Sequence, residues 1–292
     1  MTGSPGRGRV GRAPGRRSGA AEVTRSCLDR VHGAGPDSYA CCVIETSGLT
    51  RRFGPLTAVA GLDLRVAPGE LYGFLGPNGA GKTTTLRMLA GLLRPHAGRI
   101  RLAGIDPAEE PRRARSRTGF VPDTPPLYEH LTGRQHLGLV ASLYGVPPAA
   151  RDARAVDLLE AFGLAERADE LIKGYSHGMR KKLHLAAVLL TRPRVLLLDE
   201  PTTGLDPRSA RVLKDLLQEF CDRGGTVLLS THLLDTAERI CHRVGILDHG
   251  RLLAEGEVGA LLAGGAHGTL EDVFLRLTGE GSETSHAGPG PG

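Results

Sequence analysis

The sequence predicts an α/β fold built on a mainly parallel β-sheet. Three observations support this: short uninterrupted apolar runs, amphipathic helical segments between them, and a glycine-rich loop directly after the first run. Apolar runs of this length are typical of parallel strands, which are buried on both faces. The chain has 292 residues and is 40% hydrophobic, so it is large enough for one sizeable domain with an inserted subdomain.

Four of the apolar runs are predicted to be strands of this sheet. They cover Leu71–Leu75, Val195–Leu198, Thr226–Ser230 and Val244–Leu247. A helix is predicted at Lys82–Leu93, and apolar residues at helical spacing predict further helices around 155–162 and 212–220. Asp206-Pro207 predicts a helix start, because Asp is a preferred N-cap and Pro is favoured at the first helical position.

The domain boundaries are predicted from shifts in composition. Residues 1–42 are rich in Gly, Arg, Pro and Ser, and residues 279–292 repeat this bias, so we expect a disordered basic extension and a flexible tail around one domain at 43–278. Residues from about 107 to 192 are mostly helical in pattern, which predicts a helical subdomain beside the sheet. No internal repeat is visible, so we expect one such domain and not two.

The net charge of +5 does not by itself indicate a nucleic-acid partner. Residues 1–40 carry seven Arg and three acidic residues, which leaves the remainder nearly neutral. A basic tail on a neutral body favours a solvated extension over an arm that binds nucleic acid or anionic lipid. We therefore expect no nucleic-acid partner.

The sequence also limits where the protein acts. The N-terminus has no apolar core of a secretory signal, and no run of about 18 apolar residues predicts a membrane span. The five Cys show no zinc-binding spacing and are interpreted as reduced thiols. We therefore expect a cytoplasmic protein, and any membrane-spanning part of its system on another chain.

The strongest motif is a phosphate-binding loop that follows the first predicted strand. Residues Gly76–Thr83 read GPNGAGKT and match GxxxxGK[ST], with a strand before the loop and a helix after it. Glycines allow the main-chain N–H groups to converge on an anion, and the helix N-terminus adds a positive dipole. Lys82 is expected to reach the β- and γ-phosphates, and the Thr83 hydroxyl to hold Mg²⁺.

Two further groups of polar residues follow buried strands. Asp199 and Glu200 directly follow the apolar run VLLL, and His232 follows the run TVLLST. Ligands bind at the carboxyl ends of strands in open α/β sheets, so these side chains should meet the phosphate loop. Asp199 is predicted to hold Mg²⁺, and Glu200 to act as general base on the attacking water. The alternative for these acids is capping of the next turn, and for His232 an ordinary polar residue.

Taken together, the motifs resemble the nucleotide-binding subunit of ABC transporters. The decisive segment is Tyr175–Met179, YSHGM, followed by RKKL, which resembles the ABC signature and precedes the Asp199-Glu200 strand. The resemblance covers about residues 45–278 and implies a P-loop NTPase core with an antiparallel β edge and an inserted helical subdomain. It also implies that ATP and Mg²⁺ are the ligands and that two copies, or this chain and a related subunit, close around two nucleotides.

The resemblance assigns roles to further residues. It implies ATP contacts for the loop residues Gly76, Pro77, Asn78, Gly79, Ala80, Gly81, Lys82, Thr83 and Thr84, for Phe53 on the adenine, and for Ser176, Gly178 and Asp206 across the dimer. It also implies that Asp123 stands at the position of the glutamine that contacts Mg²⁺, and that His232 is the switch histidine. Phe53 also fits a buried core residue, and Ser176 a plain helix cap.

The chain departs from the family pattern at three positions. His177 replaces the first of two paired glycines in the signature, Met179 replaces a glutamine, and Asp123 replaces the glutamine just mentioned. These variants and the ending Leu270–Thr278 resemble ATPases that serve ABC-2-type permeases, which mostly export drugs, lipids or polysaccharides. The resemblance thus implies an export ATPase, peripheral on the inner face of the cell membrane through a separate permease.

Two other classes of function remain as alternatives. A soluble ABC ATPase, for example in iron–sulfur assembly, would share these motifs without a permease. A different P-loop enzyme, such as a small-molecule kinase, would explain the phosphate loop but would leave Tyr175–Met179 and His232 without a role.

Overall fold

The structure, a computed structural model, describes residues 42–263 and 268–278. The predicted tail at 279–292 and all of the predicted extension except Cys42 lie outside these residues. The strands are β1 (Ile44–Phe53), β2 (Leu56–Val66), β3 (Leu71–Leu75), β4 (Ala97–Leu102), β5 (Thr118–Val121), β6 (Val195–Asp199), β7 (Thr226–Thr231), β8 (Arg243–Asp248) and β9 (Arg251–Glu257).

Nine α-helices lie within the described residues. They are α1 (Lys82–Leu89), α2 (Pro111–Arg117), α3 (Gly133–Leu143), α4 (Pro148–Ala161), α5 (His177–Leu190), α6 (Pro207–Asp222), α7 (Leu234–Ile240), α8 (Val258–Ala263) and α9 (Leu270–Thr278). Two short 3-10 turns, Ala165–Arg167 and Ile172–Gly174, lead into α5. None of these helices is long and apolar enough to cross a bilayer.

The strands form two sheets. The larger has the order β5-β6-β7-β3-β8-β9, and every neighbouring pair is parallel except β8 with β9. The smaller sheet, β2-β1-β4, is antiparallel. The predicted α/β fold with a mainly parallel sheet and an antiparallel β part is confirmed. The predicted strands are also confirmed, with β6, β7 and β8 each one or two residues longer than expected.

The core lies on both faces of the parallel sheet, as the continuous apolar strands predict. In β6, Val195 and Leu197 pack in the cluster shared with the antiparallel sheet and α1. Leu196 and Leu198 pack in the opposite cluster with α5 and α6. Side chains alternate along a strand, so a strand covered on both faces must be apolar at every position.

Two sequence predictions differ from the structure. The helix expected at Lys82–Leu93 ends at Leu89, because Gly91 takes a left-handed φ of +68° and turns the chain. The interval from about 107 to 192 was predicted to be mostly helical, and it also contains the strand β5, which pairs in parallel with β6. A four-residue strand is too short to show a clear period in the sequence.

Helix capping confirms two predicted starts. The Asp206 carboxylate accepts a hydrogen bond from Ser209 N at 2.9 Å, with Pro207 opening α6. Ser176 caps α5 by accepting from Met179 N at 3.3 Å. Both caps satisfy main-chain donors that a helix leaves free at its first turn.

Candidate active site

The phosphate loop connects β3 to α1, as the sequence predicts. Gly81 immediately precedes α1 with φ of +104°, and a Cβ there would lie 2.4 Å from the main-chain oxygen of Ala58. Only glycine fits this conformation and this approach. The predicted loop residues Gly76–Thr84 therefore occupy one tight turn and the first turn of α1.

Lys82 lies over the loop. Its Nζ donates to the main-chain oxygens of Gly76 at 2.5 Å and Pro77 at 3.1 Å. Burial lowers the pKa of Lys82, and the nearby carboxylates of Glu200 and Asp199 oppose this shift. The ammonium group thus lies in the field of the two acids that the sequence places at the same sheet edge.

Thr83 and Asp199 meet at the carboxyl end of β6. Thr83 Oγ1 donates to Asp199 Oδ1 at 3.0 Å, and Ser230 Oγ donates to the same oxygen at 2.6 Å. Asp199 is only 3% exposed. The oxygen atoms of this cluster are ligands of the kind that Mg²⁺ prefers. Ser230 was expected at this edge, but its hydrogen bond to Asp199 was not.

Glu200 and His232 form a second pair beside the first. His232 Nδ1 lies 2.9 Å from Glu200 Oε1. Glu200 has φ of +48°, and its N–H donates to Ser230 O at 3.0 Å, so the chain turns sharply where β6 ends. A left-handed non-glycine residue is strained, and such strain concentrates at functional sites. Glu200 Oε2 is buried and has no hydrogen-bond partner among the residues that the structure describes, which leaves an acceptor for another group.

Lys181, which no sequence pattern identified, lies next to these residues. Its Nζ donates to Asp123 Oδ1 at 2.8 Å, to Glu200 O at 2.7 Å and to Thr203 O at 2.9 Å. Asp123 is half-exposed and forms an ion pair with this buried ammonium. The metal-binding role of Asp123 stays a prediction.

The signature segment occupies a different part of the molecule. Tyr175 is buried and donates from its hydroxyl to Arg167 O at 2.7 Å, whereas Ser176 and His177 are exposed. His177 packs against Gly204, where an added Cβ would lie 2.7 Å from its ring. Among the described residues, no hydrogen bond or ion pair joins Ser176, Gly178 or Asp206 to the phosphate loop. The contacts predicted for these three residues lie across a dimer and stay predictions.

Phe53 ends β1 at the surface. Its side chain is 45% exposed, and the Arg51 guanidinium carbon lies 4.7 Å from the ring centroid. The alternative interpretation of Phe53 as a core residue is therefore wrong. An exposed aromatic ring is free to stack on a flat ligand, and adenine binding at Phe53 stays a prediction.

Comparisons with known proteins show which family the chain resembles. The family model described as ABC transporter matches residues 59–203. The daunorubicin/doxorubicin resistance ATP-binding protein DrrA of Streptomyces peucetius is 47% identical over 218 residues, which cover 75% of this chain and 66% of that protein. The Nod factor export ATP-binding protein I of Paraburkholderia xenovorans is 44% identical over 220 residues, or 75% and 72% of the two chains.

A solved structure gives the same picture. A chain described as an ATP-binding subunit of an ABC transporter superposes with a TM-score of 0.76 at 33% identity. The match covers 81% of this chain and 99% of that one. The two curated relatives extend further, since this chain spans about two thirds of one and about three quarters of the other.

Proposed function

Because the chain belongs to the ATP-binding subunits of ABC transporters, which bind and hydrolyse ATP, we propose that it powers a separate membrane permease as an exporter. The relatives named above are a drug-resistance protein and an export protein. Their names favour export over a soluble role such as iron–sulfur assembly. The observation that carries the proposal is the convergence of Lys82, Asp199, Glu200 and His232 at one sheet edge.

The catalytic roles follow from the contacts at that edge. Glu200 orients the attacking water as general base, using the buried Oε2 that has no partner among the described residues. His232 holds the other carboxylate oxygen at 2.9 Å and so limits rotation of the Glu200 side chain. Lys82 reaches the phosphates as a cation, and the loop N–H groups bind their oxygens.

Magnesium fits the oxygen cluster beside the loop. Thr83 and Asp199 would hold it, whereas Asp123 is already paired with Lys181 Nζ at 2.8 Å. The ion would neutralise charge on the phosphate oxygens. Ser230 holds Asp199 Oδ1 at 2.6 Å and so orients the carboxylate.

The second half of the proposal is a dimer that closes on ATP. Ser176 and Gly178 lie at the exposed N-terminal end of α5, where main-chain N–H groups and the helix dipole favour an anion. Within the described part of the chain they have no hydrogen bond to the phosphate loop. We therefore place the γ-phosphate contact of Ser176 on a nucleotide held by the opposite subunit.

A groove between the end of α1 and the predicted helical subdomain is the candidate permease site. A cavity of about 520 Å³ lies between the end of α1, α2, α3, α5 and the segment after β5, and its lining is mainly apolar. The lining includes Phe120, Pro122, Thr124, Val140 and Val188. An apolar groove of this kind accepts an amphipathic helix, and here we assign it to a cytoplasmic helix of the permease. Asp123 lies between the lining residues Pro122 and Thr124. Because Asp123 pairs with Lys181, which donates to Glu200 O, the groove is adjacent to the catalytic residues.

The dimer is tested with a variant that binds ATP but does not hydrolyse it. Purified Glu200→Gln protein with ATP should elute as a dimer in size-exclusion chromatography with light scattering. The reason is that unhydrolysed ATP holds the two subunits together. Glu200→Gln combined with Ser176→Arg should stay monomeric, since the bulky cation blocks the partner's phosphate. Its affinity for a fluorescent ATP analogue should change by less than about threefold, because the phosphate loop is intact.

The matched control places the same substitution elsewhere. Ser142 is an exposed serine at the end of α3, so Glu200→Gln with Ser142→Arg should still dimerise on ATP. A Ser176→Arg variant that dimerises as well as this control would overturn the proposed contact across the dimer.

A further inference from the structure

Lys181 is buried, and all three hydrogen-bond donors of its ammonium group are paired. Its side chain is only 2% exposed, and its Nζ has three oxygen partners between 2.7 and 2.9 Å. An ammonium group has three N–H donors, so each donor has one acceptor. A buried charge is tolerated only when it has such a complete set of partners. The position of the Lys181 ammonium group therefore depends on these three acceptors.

The three acceptors belong to two segments that are distant from each other in sequence. Two are main-chain oxygens, Glu200 O and Thr203 O, from the turn that follows β6. The third is the Asp123 carboxylate, from the segment that follows β5 and borders the apolar groove. Lys181 itself lies in the second turn of α5, shortly after the signature residues. One side chain therefore connects the signature helix with the catalytic turn and the groove.

The contact with Glu200 falls at a strained position of the main chain. Glu200 has φ of +48°, a conformation that costs about 1 kcal/mol or more for a residue with a Cβ. The hydrogen bond from Lys181 Nζ to Glu200 O, and that from Glu200 N to Ser230 O, fix the main chain on both sides of this residue. His232 fixes the carboxylate itself.

We infer that Lys181 is a positioning residue for hydrolysis, which holds the Glu200 main chain and ties it to Asp123. The inference rests on the proposed catalytic role of Glu200. In the proposed reaction Lys181 contacts neither the nucleotide nor the attacking water. It affects hydrolysis by holding the Glu200 carboxylate in position. Asp123 supplies the counter-charge, since a carboxylate is a stronger acceptor for an ammonium than a neutral amide is.

The test separates turnover from binding. Lys181→Met removes the charge and keeps an unbranched side chain of similar length. We expect kcat for ATP to fall at least about tenfold, because small displacements of a catalytic group are costly. The KM for ATP should change by less than about threefold, because nothing is altered at the phosphate loop. A kcat within about twofold of wild type would overturn the inference.

The adjacent lysine is the matched control. Lys182 lies in the same helix, and its Nζ donates to Ser209 Oγ at 3.2 Å. Lys182→Met should keep kcat within about twofold of wild type and should leave KM unchanged. If both methionine variants lost kcat equally, the effect would belong to α5 in general, and the assignment to Lys181 would fail.

A second variant tests the inference if Lys181→Met does not fold. Asp123→Asn removes the counter-charge but leaves Lys181 its two main-chain acceptors. We expect kcat to fall about threefold to tenfold, with no change in the Mg²⁺ concentration that gives half-maximal activity. An unchanged kcat, or a raised Mg²⁺ requirement that accounts for the whole loss, would overturn the positioning role.

Glu200→Gln, measured in parallel, distinguishes this inference from the proposed function. If Glu200→Gln keeps full activity, the catalytic role of Glu200 fails and the inference fails with it. If Glu200→Gln is inactive while Lys181→Met turns over like wild type, only the inference fails.

Discussion

The two halves of the candidate site are held in different ways. In the phosphate-loop half, Asp199 is buried and accepts hydrogen bonds from Thr83 and Ser230, which come from α1 and β7. In the signature half, Ser176 and Asp206 are exposed, and their caps join residues only three positions apart. One half is built from long-range buried contacts and the other from local contacts at the surface.

This difference indicates how each half functions. Hydrogen bonds between distant segments orient side chains before a ligand arrives, so the phosphate-loop half is expected to bind nucleotide in a single chain. An exposed helix N-terminus keeps its N–H groups in water until an anion is brought to it. The signature half is therefore expected to contribute only when a second subunit supplies the phosphate.

The largest expected effect is on catalysis in the phosphate-loop half. Glu200→Gln should lower kcat by at least about a hundredfold, because an amide cannot accept a proton from the attacking water. Nucleotide affinity of the monomer should stay the same, because Lys82 and the loop are unchanged. Phosphate release and equilibrium nucleotide binding measure the two quantities separately.

The control for this variant is an exposed glutamate in the last helix that the structure describes. Glu271 lies in the first turn of α9, and Glu271→Gln should leave kcat unchanged. A Glu200→Gln protein that hydrolyses ATP at the rate of this control would contradict the general-base role.

A steric change in the phosphate loop should lower both the stability of the fold and the affinity for ATP. Gly81→Ala places a Cβ 2.4 Å from Ala58 O at φ of +104°, so we expect about 2–4 kcal/mol lower unfolding free energy and weaker ATP binding. Gly79→Ala has a similar φ of +87° but no atom within 4 Å of its Cβ, so only about 1 kcal/mol is expected. Urea unfolding followed by circular dichroism measures both, and equal losses would refute the close approach at Gly81.

A smaller effect should appear in the interior of the predicted helical subdomain. His136 on α3 is buried, and neither ring nitrogen has a hydrogen-bond partner among the described residues. Burial, with a smaller contribution from His184, lowers the pKa of His136 to about 4. The unfolded chain then binds more protons than the folded protein between the ordinary pKa of about 6.5 and pH 4.

Stability should therefore fall as the pH falls through this window. We expect a loss of about 2 kcal/mol in unfolding free energy between pH 7 and pH 5 from His136 alone. Denaturation at several pH values should show a smaller loss for His136→Met, whereas substituting the exposed His130 with Asn should leave the pH dependence unchanged. Identical profiles for wild type and His136→Met would show that His136 is not buried in its neutral form.

Much of the site could be predicted from the sequence because its signals are local. The loop Gly76–Thr83 requires glycines, a lysine and a threonine at set spacing, whatever the remainder of the fold does. Asp199, Glu200 and His232 follow apolar strands, and parallel strands bring their carboxyl ends to one edge. The start of α6 at Pro207 was predictable because a cap depends on neighbouring residues only.

Tertiary structure alone decided the contacts between distant segments. Nothing in the local sequence of Lys181 shows that its ammonium lies 2.8 Å from Asp123, which is 58 positions away, or 2.7 Å from Glu200 O. The short strand β5 and the left-handed φ of Glu200 likewise arise from packing at the end of β6. Local sequence determines turns, caps and strand patterns, whereas the partner of a buried charge depends on which segments the packed core brings together.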